Sequence, residues 1–291
     1  MHDQTPSLTA EIVAAHRAVE SSREAGMRLC CDPLARSFLS PRVGVLGRSI
    51  IPERLAVWIY ETLFPGNHTY LAIRTKYLDD CLRSCLEEGL EQLVILGAGY
   101  DSRPYRFESL KDRVRVFEVD HPATQKAKLC KLKGLFGSVP QHVSYVSVDF
   151  VKERLEERLF QCGYDRNLKT LFLWEGVTYY ITADAVDKTL DFVAHNSGKG
   201  SSIVFDYTYS TVVNGTCRLK GAKILTTILK IMGEPFRFGI EIGEVGHFLA
   251  RRGFHKINDA TYHHFKKAYL TGMNGNRCLT AIFGIVQAFV T

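Results

Sequence analysis

The chain has 291 residues, of which 46% are hydrophobic and 23% charged, and its formal net charge is +6 at pH 7. This length suits one α/β domain with added segments and supplies enough apolar side chains for a large core. No apolar run reaches the length of a membrane-spanning helix, and the opening MHDQTPSLTAEIVAAHR lacks the apolar region of a signal peptide. We therefore expect a soluble, cytoplasmic protein without membrane association.

Charge and cysteine content argue against two further classes of protein. The lysines cluster in KAKLCKLKG (126–134) and HHFKKAY (263–269), which is typical of solvated helix surfaces because no nucleic-acid-binding module accompanies them. The eight cysteines show no C-x-x-C spacing of the kind that zinc or redox sites use. We expect reduced thiols, no bound metal and no nucleic-acid partner.

The first ninety residues are predicted to be helical. Residues 7–40 favour a helix that a hydroxyl side chain caps at its start (Ser7 or Thr9), followed by a turn and a second short helix. Residues 53–90 carry helical spacing interrupted at FPGNH, after which a long amphipathic helix is indicated. Because this region precedes the predicted sheet, we interpret residues 1–90 as a helical N-terminal cap.

Strand-length apolar runs begin at residue 92 and alternate with helix-length segments. The predicted strands span residues 92–97, 114–119, 143–148, 169–174, 201–206, 254–260 and 279–289. The first five favour a doubly wound parallel sheet, and the last two favour a hairpin-like antiparallel pair that closes it. Such an ending indicates the methyltransferase variant of the Rossmann-like α/β fold.

The stretch LVILGAGYDSRPYRF places Gly97 and Gly99 directly after the first predicted strand. Glycines at this point let the backbone approach a ligand closely, since a Cβ atom would occupy the ligand's space. The dinucleotide motif G-x-G-x-x-G would need a third glycine where the chain has Ser102. A pyrophosphate site of the NAD type is therefore disfavoured, although it stays open.

Acidic residues follow the next three predicted strands. Asp120 ends the second strand at the distance where a carboxylate can accept the hydroxyl groups of a ribose, with Glu118 as the reserve choice. Asp149 and Phe150 end the third, where an acid and an apolar ring can bind and cover an adenine. Glu175 follows four apolar residues, and we expect it in the crevice beside a cationic amine. These positions describe a nucleoside site without phosphates, which S-adenosylmethionine matches best.

Several motifs make the chain resemble a known family. LGAGYDSRPYRF, FEVDHP, VDF and WEGVTYYI, with AAHRAVESS, DPLARSF, IRTKYLDD and EPFRFGI, resemble the leucine carboxyl methyltransferase superfamily and, within it, the bacterial polyketide-type O-methyltransferases. The resemblance covers almost the whole chain. It implies a class I methyltransferase fold with a seven-stranded sheet and S-adenosylmethionine as the methyl donor.

The resemblance also implies roles for individual residues. Arg74 of IRTKYLDD would bind the methionine carboxylate of the donor, and Arg17 of the first helix would join it. A planar guanidinium suits this role because it can hold a carboxylate through two parallel hydrogen bonds. Gly97 and Gly99 would admit the methionine portion, and Glu175 would lie near the amino group of the donor.

The methyl acceptor is predicted to be a small metabolite with a carboxylate or hydroxyl oxygen. On this interpretation one domain contains a donor-binding core (91–206), a lid insertion with several aromatic residues (207–245) and the C-terminal strands (246–291). Tyr180 and Tyr207 are candidate catalytic residues, but neither is assigned that role. Because no histidine has an obvious partner as a general base, a carboxylate acceptor, which needs none, is mildly favoured.

Three other functions remain open at this point. A protein C-terminal carboxyl methyltransferase would show an open, positively charged groove in place of a closed apolar pocket. A non-catalytic S-adenosylmethionine-binding protein would lack Arg74 or Glu175 or have a blocked acceptor side, and both residues are present. An NAD-dependent dehydrogenase is the third. These motifs encode neither the identity of the acceptor nor the oligomeric state.

Overall fold

The structure, a computed structural model, describes residues 7–40, 53–149 and 153–290. Within these residues one sheet is formed by β1 (Gln92–Leu96), β2 (Arg115–Asp120), β3 (Val143–Ser147), β4 (Thr170–Trp174), β5 (Ser202–Thr208), β6 (Phe254–Ala260) and β7 (Phe283–Val290). Its order is β3-β2-β1-β4-β5-β7-β6. Strands β1 to β5 are parallel, whereas β7 pairs antiparallel with both β5 and β6. The predicted parallel sheet with an antiparallel ending is confirmed.

The parallel strands are apolar throughout because both faces of the sheet are covered. In β1, Leu93 and Ile95 pack into the core on one face, while Val94 and Leu96 pack into the core on the other. Burial of each large aliphatic side chain contributes about 1.5–3 kcal/mol. The continuous apolar run, in place of an alternating one, thus follows from a central position in the sheet.

Helices cover the sheet and build the region in front of it. In the described residues they are α1 (Leu8–Ser21), α2 (Glu53–Leu63), α3 (Asn67–Glu87), α4 (Arg103–Arg106), α5 (Ser109–Arg113), α6 (Pro122–Phe136), α7 (Leu155–Gln161), α8 (Ala183–His195), α9 (Ser210–Val213), α10 (Ala222–Ile231), α11 (Val245–Ala250) and α12 (Tyr262–Tyr269). The predicted cap of α1 is Ser7, whose hydroxyl accepts a hydrogen bond from the Ala10 amide at 3.2 Å. None of the described helices is both long and apolar enough to cross a bilayer.

The fifth strand is longer than predicted, and this moves one candidate residue. β5 continues to Thr208 because it pairs with β7 along its full length, from Ser202 opposite Phe289 to Thr208 opposite Phe283. Tyr207, assigned to the lid insertion from the sequence, is therefore a strand residue. It faces Gly284, where an added Cβ would lie 2.6 Å from the Tyr207 hydroxyl oxygen, so glycine leaves room for the ring.

The connections leave β1 toward opposite sides of the sheet. After β1 the chain moves outward to β2 and β3, and it then returns to the other side of β1 for β4 and β5. The crevice beyond the carboxyl ends of the strands at such a switch point is where open α/β sheets bind ligands. Gly97, Gly99, Asp149 and Glu175 follow strands at this edge, and Asp120 ends one there.

Candidate functional site

A cavity of about 1230 Å³ lies at the carboxyl ends of the parallel strands. Its walls include both turn glycines and the acids that end or follow β2, β3 and β4, together with the two arginines of the N-terminal helices: Gly97, Gly99, Asp120, Asp149, Glu175, Arg17 and Arg74. Residues far apart in the chain are thus brought to one site. The remaining predicted adenine contact, Phe150, lies outside the described residues.

The glycine turn is required by backbone conformation and by neighbouring protein atoms. Gly97 and Gly99 have φ angles of +68° and +43°, a region that favours glycine. An added Cβ at Gly97 would lie 2.4 Å from Cγ2 of Val177, and one at Gly99 would lie 3.2 Å from Cβ of Ala10. The sequence-based explanation, in which a ligand excludes the Cβ atoms, is therefore incomplete, because the protein itself excludes them.

Replacing Gly97 with alanine should destabilise the fold. The left-handed conformation costs an alanine about 1–2 kcal/mol, and the contact with Val177 adds roughly 1 kcal/mol of overpacking. We expect a loss of about 2 kcal/mol in the free energy of unfolding, measured by urea denaturation. The double variant Gly97→Ala/Val177→Ala should show less than the sum of the two single losses. Strict additivity would contradict the steric part of this explanation.

Asp120 organises the turn from the end of β2. One carboxylate oxygen accepts the Gly99 amide, and the other accepts the His121 amide at 2.6 Å. Burial raises the pKa of Asp120, while these two backbone hydrogen bonds and Lys128 oppose the rise. Each oxygen of a carboxylate can accept a second hydrogen bond, so Asp120 can hold the turn and still receive hydroxyl donors from a ligand.

Glu118, the reserve choice, has a structural position. It is almost completely buried, and Oε1 accepts hydrogen bonds from Lys128 Nζ at 2.8 Å and from the Tyr105 hydroxyl at 2.9 Å. Burial raises its pKa to about 7, although Lys128 and Tyr105 lower it. Because Glu118 is absent from the cavity wall, Asp120 is the acid of β2 that a ligand can reach.

Glu175 lies between two buried arginines. Its Oε1 accepts a hydrogen bond from Arg74 Nε at 3.0 Å, and its Oε2 accepts one from Arg103 Nη1 at 2.8 Å. Burial alone would raise the pKa of Glu175, but Arg103, Arg74 and Arg17 lower it to about 2. Glu175 is therefore ionised, and its first partners are guanidinium groups. Contact with the amine of a ligand, predicted from the sequence, would use the remaining lone pairs.

Arg74 is oriented by three neighbours. Besides Glu175, its Nη1 donates to Asp206 Oδ2 at 2.7 Å and to the Tyr179 hydroxyl at 3.1 Å. The other oxygen of Asp206 accepts the Gly176 amide at 2.6 Å, which ties the arginine to the turn after β4. Among the hydrogen bonds of the described residues, Arg74 uses Nε and Nη1. Nη2 makes no hydrogen bond among these residues.

Arg17 lies at the glycine turn from the side of α1. Its Nε donates to Asp32 Oδ2 at 2.8 Å, and its Nη2 donates to the Tyr100 carbonyl at 2.6 Å. Like Arg74, it is buried and oriented by a carboxylate. Both cations are thus held at the cavity wall by protein contacts, which lowers the entropic cost of binding an anionic group there.

Ionised Glu175 should make stability depend on acidity. A folded-state pKa of about 2, below the ordinary 4.5, means that its contribution is fully present above pH 4.5 and is lost as the pH falls toward 2. We expect this group to account for about 3 kcal/mol of the decline in the free energy of unfolding over that range. Urea denaturation at about pH 6 and at about pH 3 measures this decline. The free energy of unfolding should fall less between the two pH values in Glu175→Gln than in the wild-type protein. The exposed Glu108→Gln is the matched control, and equal declines in the two variants would contradict the prediction.

The two tyrosine candidates have different positions. Tyr180 lines the cavity, and burial raises its pKa above the usual value with a further contribution from Glu234. Tyr207 is 2% exposed, is absent from the cavity wall, and donates its hydroxyl hydrogen to Asp259 Oδ1 at 2.8 Å. The structure therefore corrects the assignment of Tyr207, because the continued β5 carries its side chain to the antiparallel strands.

The segment between β5 and α11 supplies apolar wall. Leu225, Leu229, Met232 and Phe236 line the cavity, whereas Phe238, another aromatic residue of the predicted lid insertion, packs in the core on one face of the sheet. The position of this segment follows partly from Gly221, whose φ of +87° starts α10 beside the end of α2. This segment thus adds apolar side chains to a cavity wall that also carries the acids and arginines.

Four residues of the site were missed from the sequence: Arg103, Asp206, Asn67 and Glu234. Asp206 follows the apolar run IVF just as Glu175 follows LFLW, so the same pattern could have found it. Arg103 directly follows Ser102, the residue that breaks the dinucleotide motif, and no sequence pattern assigns it a role. Asn67 belongs to none of the motifs noted in the sequence, and Glu234 begins EPFRFGI, to which no role was assigned. The relevance of both residues appears only once α3 and the loop after α10 share a cavity.

The sheet order, the terminal antiparallel pair and the cavity at the switch point define a class I methyltransferase fold. The chain belongs to the leucine carboxyl methyltransferase family, whose sequence profile matches residues 10–194. The resemblance noted in the motifs is thereby confirmed at the level of the family.

Two relatives show the extent of the similarity. A Bacillus subtilis protein named "Putative S-adenosyl-L-methionine-dependent methyltransferase YktD" is 34% identical over 202 residues, which covers 69% of this chain and 65% of that protein. A Mycolicibacterium gilvum protein named "Putative S-adenosyl-L-methionine-dependent methyltransferase" is 30% identical over 244 residues, or 80% of this chain and 73% of that protein. The chain spans about two thirds of the length of the first of these relatives.

Solved structures share the fold at low identity. A crystal structure described as a "putative methyltransferase" from Thermobifida fusca superimposes with a TM-score of 0.61 at 14% identity and covers 99% of this chain and 96% of that chain. A protein of Streptomyces avermitilis described as a member of the "duf574 family" superimposes with a TM-score of 0.56 at 13% identity. The match covers 88% of this chain and 96% of that chain.

Proposed function

We propose that this protein is an S-adenosylmethionine-dependent methyltransferase that methylates an oxygen atom of a small metabolite. One observation carries the proposal: turn glycines, three strand-end acids and two buried arginines converge on one cavity at the switch point of the sheet. The names of the two relatives described above support S-adenosylmethionine as the methyl donor, since both names include this compound.

The methyl donor would lie against the acids and arginines of the cavity wall. Asp120 would accept the ribose hydroxyl groups, and Asp149 would lie at the adenine. Arg74 and Arg17 would bind the methionine carboxylate, with Arg74 Nη2 as the nitrogen that makes no hydrogen bond within the described residues. Oxygens of Glu175 already bound to arginine can accept a further hydrogen from the ammonium group.

The methyl acceptor would lie against the apolar side chains of the cavity wall. Leu225, Leu229 and Met232 from the segment after β5 and Phe64 from the N-terminal region line the cavity, so we assign that segment the role of a lid. An apolar wall favours a small metabolite over a protein C-terminus, which would need an open and positively charged groove. With the sulfonium of the donor supplying an activated methyl group, the residues of the chain have to exclude water and align the acceptor with it.

Transfer of label tests this function. The protein would be incubated with donor labelled in the methyl group and with a metabolite extract, and label would be measured separately in small molecules and in precipitated protein. We expect a labelled small molecule that mass spectrometry identifies by its gain of a methyl group. Label confined to the protein fraction would favour the carboxyl methylation of a protein, and no label in either fraction would contradict catalysis.

A further inference from the structure

Two side chains of the cavity wall each have an acceptor oxygen without a hydrogen-bond partner. Asn67 Oδ1 and Glu234 Oε2 are buried and accept no hydrogen bond within the described residues, and both residues line the cavity. The other atoms of these side chains are engaged: Asn67 Nδ2 donates to the Tyr60 hydroxyl at 2.5 Å, and Glu234 Oε1 accepts from Ser7 Oγ at 3.4 Å. Buried polar atoms are normally paired, so a missing occupant is the simplest explanation for the two orphan oxygens.

Glu234 also lacks a cationic partner in the part of the chain that the structure describes, whereas Glu175 has two. Met232, Phe236 and Arg237 flank it in sequence on the cavity wall, and no ion pair joins Arg237 to it among the described residues. Tyr180 lies within electrostatic reach, since Glu234 raises the pKa of the Tyr180 hydroxyl, and the ring of Tyr180 is 5.5 Å from that of Phe236. A carboxylate in this position will attract a hydrogen-bond donor strongly.

Orphan acceptors restrict the chemistry of the group that enters. A carboxylate ion offers no hydrogen to either oxygen, and it would place a second negative charge beside Glu234. A hydroxyl group offers one hydrogen and no charge. The described contacts therefore favour a hydroxyl acceptor, against the mild preference for a carboxylate that the sequence gave in the absence of a base.

We propose that the methyl acceptor is a hydroxyl group on an apolar metabolite and that Glu234 is its general base. The proposal rests on the proposed function for the methyl donor. The acceptor's O–H bond breaks as its proton moves to the Glu234 carboxylate, and the oxygen forms a bond to the methyl carbon. The bond from that carbon to the sulfonium breaks with its electron pair going to sulfur, which leaves a methyl ether and a neutral thioether. Glu234 then releases the proton to water.

A matched pair of probes tests the acceptor class without turnover. Binding of 4-butylphenol and of 4-butylbenzoate, which differ in the polar group, would be measured by calorimetry with and without S-adenosylhomocysteine. We expect the phenol to bind at least roughly tenfold more tightly than the benzoate in the wild-type protein, because like charges disfavour the benzoate. Glu234→Gln should bring the ratio close to one, while the exposed Glu241→Gln should leave it unchanged. Equal or tighter binding of the benzoate by the wild type would overturn the proposal.

The chemistry of the labelled product gives a second test. A methyl ether resists mild alkali, whereas a methyl ester releases its labelled methyl group as methanol, so alkali treatment of the product from the metabolite extract separates the two. We expect stable label, and a rate lower by about a hundredfold in Glu234→Gln with its affinity for S-adenosylhomocysteine retained. Alkali-labile label, or an unchanged rate, would overturn the role of Glu234. Loss of donor binding in the wild type would instead refute the proposed function itself.

Discussion

Replacing Arg103 with methionine is expected to lower the free energy of unfolding by about 3–5 kcal/mol, the range found when one partner of a buried ion pair is removed. Its guanidinium donates to Asp79 Oδ1 at 2.7 Å, to Asp101 Oδ2 at 2.5 Å and to Glu175 Oε2 at 2.8 Å, and its side chain is 2% exposed. Methionine would fill much of the volume of the arginine side chain, but each of the three carboxylates would lose one cationic partner. Urea denaturation at neutral pH measures the loss.

An exposed ion pair provides the control for Arg103. Lys111 Nζ lies 2.7 Å from Glu108 Oε2, and the side chains of Lys111 and Glu108 are 37% and 79% exposed. Lys111→Met should change the free energy of unfolding by less than about 1 kcal/mol, because water and salt screen such pairs. If Arg103→Met cost no more than this control, the buried network would not hold the site together as described.

Replacing Asp120 with alanine is expected to weaken binding of S-adenosylmethionine by up to about 3 kcal/mol, or roughly 150-fold. The ribose hydroxyl groups would lose a charged acceptor, and the Gly99 amide would lose the carboxylate that fixes the glycine turn. Calorimetric titration of the folded variant measures the change in dissociation constant.

Asp112 supplies the matched control for this substitution. It is an exposed aspartate on α5, away from the cavity wall. Asp112→Ala should bind the donor as the wild type does, and circular dichroism of both variants would establish that they are folded. Donor affinity that is the same in Asp120→Ala and Asp112→Ala would remove Asp120 from the ribose site.

The strands were predictable because central parallel strands bury both faces. The runs ending at Leu96 and Trp174 contain no polar interruption, which only a doubly covered strand tolerates. An acid placed directly after such a run is costly unless it faces a crevice, and this reasoning led to Glu175. Asp120 and Asp149 were chosen as strand-end acids suited to ribose and adenine, and all three line the cavity. Local sequence was sufficient here because each strand carries its own signal.

The partners of those acids could not be predicted in the same way. Glu175 was expected to face an amine, but Arg103 and Arg74 reach it first from α4 and α3. These contacts depend on how helices separated by many residues pack together. Tyr207 was misplaced for a similar reason, since only pairing with β7 shows that β5 continues past residue 206. The isolation of Glu234 is likewise a property of its spatial neighbours.

Calorimetric titration with S-adenosylmethionine, S-adenosylhomocysteine and NAD tests whether the cavity is a nucleoside site without a pyrophosphate cradle. We predict saturable binding of the first two at one site per chain and no binding of NAD. Binding of NAD with no heat from either S-adenosyl compound would contradict the donor site, and the proposed methyl transfer with it.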